Sequence, residues 1–161
     1  MSCDVAVSAF LMLASFNPSH ALQPRLTPIV ATATAENPLA REPLFAGIVG
    51  EAKSLKDVVE TYRKGIKGAT ASKPLPRLDR FEKRIAALSE ADMKGHLELA
   101  ARGTDGDLKC ILRGISQDLP KKMDELMKAA DPAAQELALR DMAYLLNDNV
   151  EVITAPPQPE V

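Results

Sequence analysis

The chain has no tryptophan, two tyrosines and four phenylalanines, so aromatics make up only 4% of its 161 residues. Aromatic-rich β-sandwiches, sugar-binding platforms and base-stacking surfaces all need more than this. Two cysteines and two histidines leave little material for a metal site. A domain of this length buries roughly two-thirds of its unfolded surface, so it needs neither disulfides nor metal to fold. An excess of one charge is also missing. The 20 Lys and Arg face 22 Asp and Glu, for a net charge of −2, so the chain as a whole is no polyanion binder. There is no apolar run of the roughly twenty residues that a membrane span needs. Nor is there a C-x-x-C-H, a glycine-rich phosphate loop, a nucleophile elbow or a zinc-protease motif. The expectation is a soluble protein that is not an enzyme and carries no cofactor.

What is present starts with an uncharged, mostly apolar stretch at residues 5–16. It has the length of a signal-peptide core, and Asn17-Pro18 then Ser19-His20-Ala21 supply a helix break and small residues before a cut. Asp4 disagrees, because a positive charge belongs there. Residues 1–21 are therefore read as a signal peptide cleaved near Ala21, and the protein as periplasmic or secreted. A cytoplasmic location, with this run forming a buried helix, is the alternative.

Residues 22–43 are rich in Pro, Ala and Thr and read as an extended linker, since Pro removes backbone donors and biases its predecessor away from helix. Residues 154–161 repeat that composition and read as a disordered Pro-rich tail. Between them, residues 44–153 are helical by period. Ser54 and Asp57 resemble a capping box ahead of Leu55, Val58, Val59, Tyr62 and Ile66, and Leu44 to Val49 suggest a start a turn or two earlier. A second helical stretch runs from about Leu78 to Arg102 and closes at Gly103, either as one helix or as two, the second capped by Ser89 with Asp92. A third follows Asp107, and Pro120 either kinks it or starts another. Asp131-Pro132 is a strong helix start, the helix running to about Leu146 with a short extended piece at Val150, Val152 and Ile153. The fold class is all-α, a small bundle of four or five helices.

Two features point to a surface that binds. Residues 53–84 hold ten basic and four acidic side chains. Lys64, Lys67, Arg80 and Arg84 there form a basic face for a protein partner, an anionic polymer or, at most, peripheral contact with anionic lipid. Opposite-sign helix rims that complement each other are the plainer reading. Nucleic acid is not expected, because neither aromatic interleaving nor a helix-turn-helix pattern accompanies the charge. The second feature is a ridge. At 100° per residue, Cys110 points away from the Leu108, Ile115 and Leu119 stripe, with Gly106, Gly114, Arg113 and Gln117 on its side. Small residues at that spacing admit a close helix, either inside the monomer or from another chain. With Cys3 removed along with a leader, Cys110 is a lone thiol, which suggests a homodimer through it.

His96 is the one candidate ligand residue, for haem or a soft metal in the alternative reading. Met93 on the same turn cannot stand opposite it, and Met123, Met127 and Met142 sit on apolar faces where methionine is ordinarily core filler. Asp92, four residues earlier, is placed to hydrogen-bond His96 on the surface. Met93 also occupies the Glu position of a di-iron pair. Thr104-Asp105-Gly106-Asp107 lacks the Glu a calcium loop requires, because Ser116 stands there. The expected function is protein–protein binding or self-association by an exported helical bundle, with a ligand-binding bundle and a cytoplasmic adaptor as alternatives.

Overall fold

In this computed structural model, residues 37–103 and 106–155 are described. A single turn of 3₁₀-helix at Pro38–Arg41 leads into four long helices: α1 (Pro43–Ile66), α2 (Leu78–Arg102), α3 (Gly106–Lys128) and α4 (Pro132–Thr154). Side-chain links between neighbours fix the directions. Arg102 at the end of α2 reaches Glu42 just before α1. Arg63 near the end of α1 reaches Glu136 near the start of α4. His96 of α2 meets Lys109 of α3, and Lys122 of α3 meets Asp141 of α4. Each neighbouring pair is thus antiparallel, in the order α1, α2, α3, α4 around the bundle, with α1/α3 and α2/α4 as diagonals.

The apolar stripes read from the sequence form the core. Leu55, Val59 and Tyr62 of α1, Phe81, Ile85 and Leu88 of α2, Leu112 and Leu119 of α3, and Leu139, Met142 and Leu146 of α4 are all buried. The four-to-five-helix all-α bundle is therefore what the chain forms, with four helices among the described residues.

Several boundaries differ from the sequence expectation. Pro38 and Pro43 do not extend a linker; each sits in the first turn of a helix, where a missing N–H costs nothing. Asn37 caps the 3₁₀ turn and closes it onto the far end of α4. Its side-chain amide donates to the Ile153 carbonyl at 3.0 Å, and its backbone N–H donates to that of Thr154. These bonds satisfy carbonyls that a helix end leaves open. Ser54 lies inside α1, so the apparent capping box starts nothing. Ser89 also begins no helix: its hydroxyl donates to the Ile85 carbonyl and α2 runs on unbroken. Pro120 lies at an exposed position within a continuous α3. Val150, Val152 and Ile153 are helical, because Ile153 completes the buried stripe of α4. Asp131 does cap α4, accepting from the Ala134 N–H at 2.8 Å.

One buried polar pair crosses the bundle on the α2/α4 diagonal. The Asn149 amide donates to both Asp92 carboxylate oxygens, at 3.0 and 2.9 Å, and both residues are wholly shielded from solvent. The surface bond expected between Asp92 and His96 is therefore not formed. Burial pushes the Asp92 carboxyl up to about 7, against the smaller opposing effect of the Asn149 hydrogen bonds.

Candidate binding surface

The loop between α1 and α2 is held at its middle and at its far end. Gln135 of α4 accepts from the Lys73 N–H and donates to the Lys73 carbonyl, at 3.1 and 2.9 Å. Tyr62 donates its hydroxyl to the Pro76 carbonyl at 2.6 Å, and its ring meets Phe81 edge-on at 5.3 Å. This anchoring sets Arg77, the residue before α2, which adopts a left-handed backbone with φ 58°. Left-handed φ is uncommon outside glycine, so the tether around it has to offset that conformation.

Arg77 then stands with Arg80 and Arg84 around a hollow of about 490 Å³ whose walls include Val58, Tyr62 and Phe81. A second hollow of about 440 Å³ lies further along the same helix pair, over Leu44, Ile48, Leu88 and Ala91. Arg80 and Arg84 are walls of both. Arg84 is partly occupied, donating to Glu51 at 2.7 Å and to Ser54 at 2.8 Å. Among the described residues, Arg77, Arg80 and Lys83 have no ion pair or side-chain hydrogen bond.

The basic residues singled out in the sequence do not share one face. Arg80 and Arg84 reach the α1/α2 edge, whereas Lys64 and Lys67 line a different hollow of about 560 Å³ between α1 and α4. Glu60, Arg63 and Glu136 also line that one, and Arg63 binds both acids there. The charge pattern in the sequence does not single out Arg77, whose signal is its place immediately before Leu78, the apolar start of α2.

The small-residue ridge faces outward. Gly106, Arg113 and Gln117 are exposed, and Cys110 and Gly114 are half-buried. A Cβ added at Gly106 or Gly114 would meet nothing within 4 Å among the described residues, so no helix of the bundle presses on the ridge. Cys110 is disulfide-bonded and so is not the lone thiol expected from the sequence. Cys3, the signal-peptide run and the Pro-rich tail beyond residue 155 lie outside the described residues.

His96 is half-buried, and its Nδ1–H donates to the Lys109 carbonyl at 2.7 Å, tying α2 to α3. Met123 and Met142 are buried in the core, while Met127 is exposed. Among the described residues, no group of three or more His, Cys, Asp or Glu side chains is placed to hold a metal ion. No described helix is long and apolar enough to cross a membrane. Neither a protein-family model, nor a curated protein, nor a solved structure matches this chain significantly.

Proposed function

We propose that this chain is an exported, non-catalytic helical bundle that works by binding another protein, and that the cationic edge between α1 and α2 does the binding. The observation that supports this reading is the uneven pairing of charge. Lys121, Lys122, Lys128 and Arg140, on the second half of α3 and on α4, each hold an acidic partner. Arg77, Arg80 and Lys83 do not, and they flank hollows large enough to receive a ligand's surface. Lys64 and Lys67 are unpaired as well among the described residues, but the hollow they line also holds Glu60 and Glu136. Unpaired cations beside a concave apolar surface gain most from an acidic partner, which supplies both steering and complementary contacts. Self-association through the α3 ridge is the competing reading, supported by the ridge's outward orientation.

The electrostatic part is tested with poly-L-glutamate as a defined acidic probe. The full chain binds it at low ionic strength, and affinity falls as salt is raised, because exposed charges are screened beyond about 10 Å at 0.1 M. The double variant Arg77→Ala/Arg80→Ala weakens that binding by roughly tenfold. Binding that is indifferent to salt, or to the double variant, contradicts the reading. Export rests on the apolar run and small-residue site near Ala21. The intact mass of protein recovered from its native cells is expected to correspond to a chain beginning at Leu22, and a chain retaining Met1 would remove that part.

A further inference from the structure

Resting on the binding reading above, we infer that the α1/α2 groove seats an amphipathic helix of a partner protein, apolar on one face and acidic along its flank. The two hollows share Arg80 and Arg84 as walls and so make one trough along the helix pair. On α1 the trough spans positions 43 to 62, which at 1.5 Å per residue is about 28 Å, or some five turns of a docked helix. Its floor is apolar: Leu44 and Ala91 are half-buried and lie over the buried Ile48 and Leu88.

The rim is built from small residues. Gly47 and Ala87 are exposed, and a Cβ at Gly47 would meet nothing within 4 Å among the described residues, so a second backbone can come close. One end and one side are cationic, through Arg77, Arg80 and Lys83. Asp79 and Glu82, interleaved with them on α2, are not among the walls. Among the described residues, the only acid in those walls is Glu51, already bound to Arg84.

The shape decides between occupants. A small molecule is normally enclosed over most of its surface. Here Gly47, Arg77, Arg80, Lys83 and Ala87 are all exposed, so the trough is open along one side. A cylinder fills such a space, burying its i, i+3, i+4, i+7 apolar stripe and leaving its back to solvent. The charge on the rim sets the flank of that cylinder as acidic.

The test uses two labelled synthetic peptides of 18 residues, each helical with the same leucine stripe, one flanked by glutamates and one by lysines. Fluorescence anisotropy is read against the full-length chain. The glutamate peptide is expected to bind at least about tenfold tighter than the lysine peptide. Ala87→Glu and Arg80→Glu, both at exposed helical positions where the fold tolerates change, each weaken it by about tenfold, whereas Arg113→Glu on α3 has no effect. Equal affinity for both peptides, or indifference to Ala87→Glu, overturns the inference.

Loss of both peptides with retained, salt-sensitive poly-L-glutamate binding also overturns it, while leaving the cationic edge as the binding surface. If poly-L-glutamate binding is absent as well, both readings fail together. Sedimentation of the chain alone gives the remaining outcome. A dimer dissociated by Ala87→Glu assigns the trough to a second copy and overturns the partner helix.

Discussion

Wild-type protein is expected to lose stability as pH rises from about 4 to about 7, and Asp92→Asn is expected to abolish that loss. The cause is the carboxyl on the α2/α4 diagonal. It titrates near 3.8 in an unfolded chain and is pushed up to about 7 by burial in the fold. Between those values the folded state holds a proton that the unfolded state has released. Linkage then makes folding less favourable with each unit of pH. The contribution is fully present below the unfolded value and is gone once pH passes the folded one. A shift of this size corresponds to about 4 kcal/mol across the window, at 1.36 kcal/mol per unit.

The hydrogen bonding supports the same direction. Asn149 points its amide nitrogen at both carboxylate oxygens, and its own Oδ1 is buried without a partner. An ionised Asp92 has no donor to offer that oxygen, whereas a protonated one does after a rotation of the amide. Asparagine at position 92 carries a permanent donor and no charge. Urea titrations at pH 4.5 and pH 8 check the point. The variant should match wild type at the lower pH and exceed it by roughly 2 to 4 kcal/mol at the higher. Surface pairs such as Glu42–Arg102 and Asp141–Arg140, whose acids are held below their ordinary values, push the other way but act alike in both proteins. A difference that does not change with pH would contradict the account.

Phe45→Ala is expected to cost about 3 to 5 kcal/mol, the usual loss for a large aromatic removed from a core. The ring is wholly buried, and it packs against α2 at Gly95. Gly95 makes that position possible. A Cβ there would stand 3.2 Å from the Phe45 ring and 3.2 Å from Leu112, so α2 presents bare backbone to the phenylalanine. The Arg102 guanidinium lies 6.0 Å from the ring centroid, adding a weak attraction. With the ring wedged between α1 and the bare backbone of α2, the void left by alanine cannot collapse without moving those helices together. Thermal unfolding followed by circular dichroism should show a midpoint lowered by roughly 10 to 25 °C. A shift of only a degree or two would mean that this contact is not part of the core.

Much of the fold was legible because period and stops agreed. Leu108, Leu112, Ile115 and Leu119 mark one face of α3, and Gly103 and Asp131 mark ends that the structure keeps. Local signals misled where tertiary packing overrode them. Ser54, Ser89 and Asp92 look like caps, yet apolar stripes run through them on both sides, so the helix continues and the polar groups find other partners. Asp92 and Asn149 are 57 residues apart, and no spacing rule links them. Pro43 reads as linker from its proline-rich neighbours, although its own position fits a first helical turn.

The binding surface was only half legible. Composition picked out residues 53–84, but a count of charges does not say which side of α1 each lysine takes. Lys64 and Lys67 turn to α4, while Arg80 joins Arg77 at α2. Which cations remain unpaired depends on acids far away in sequence, such as Glu136 for Arg63 and Asp141 for Lys122.

The central claim is that the α1/α2 edge is where this protein meets its partner. Amide chemical shifts of the isotope-labelled chain, recorded while poly-L-glutamate is added at low salt, test it residue by residue. The account predicts the largest shifts at Arg77, Arg80 and Lys83, with smaller ones along the facing turns of α1, all fading as salt is raised. Shifts centred on Gly106, Arg113, Gly114 and Gln117, or spread evenly over the four helices, would contradict it.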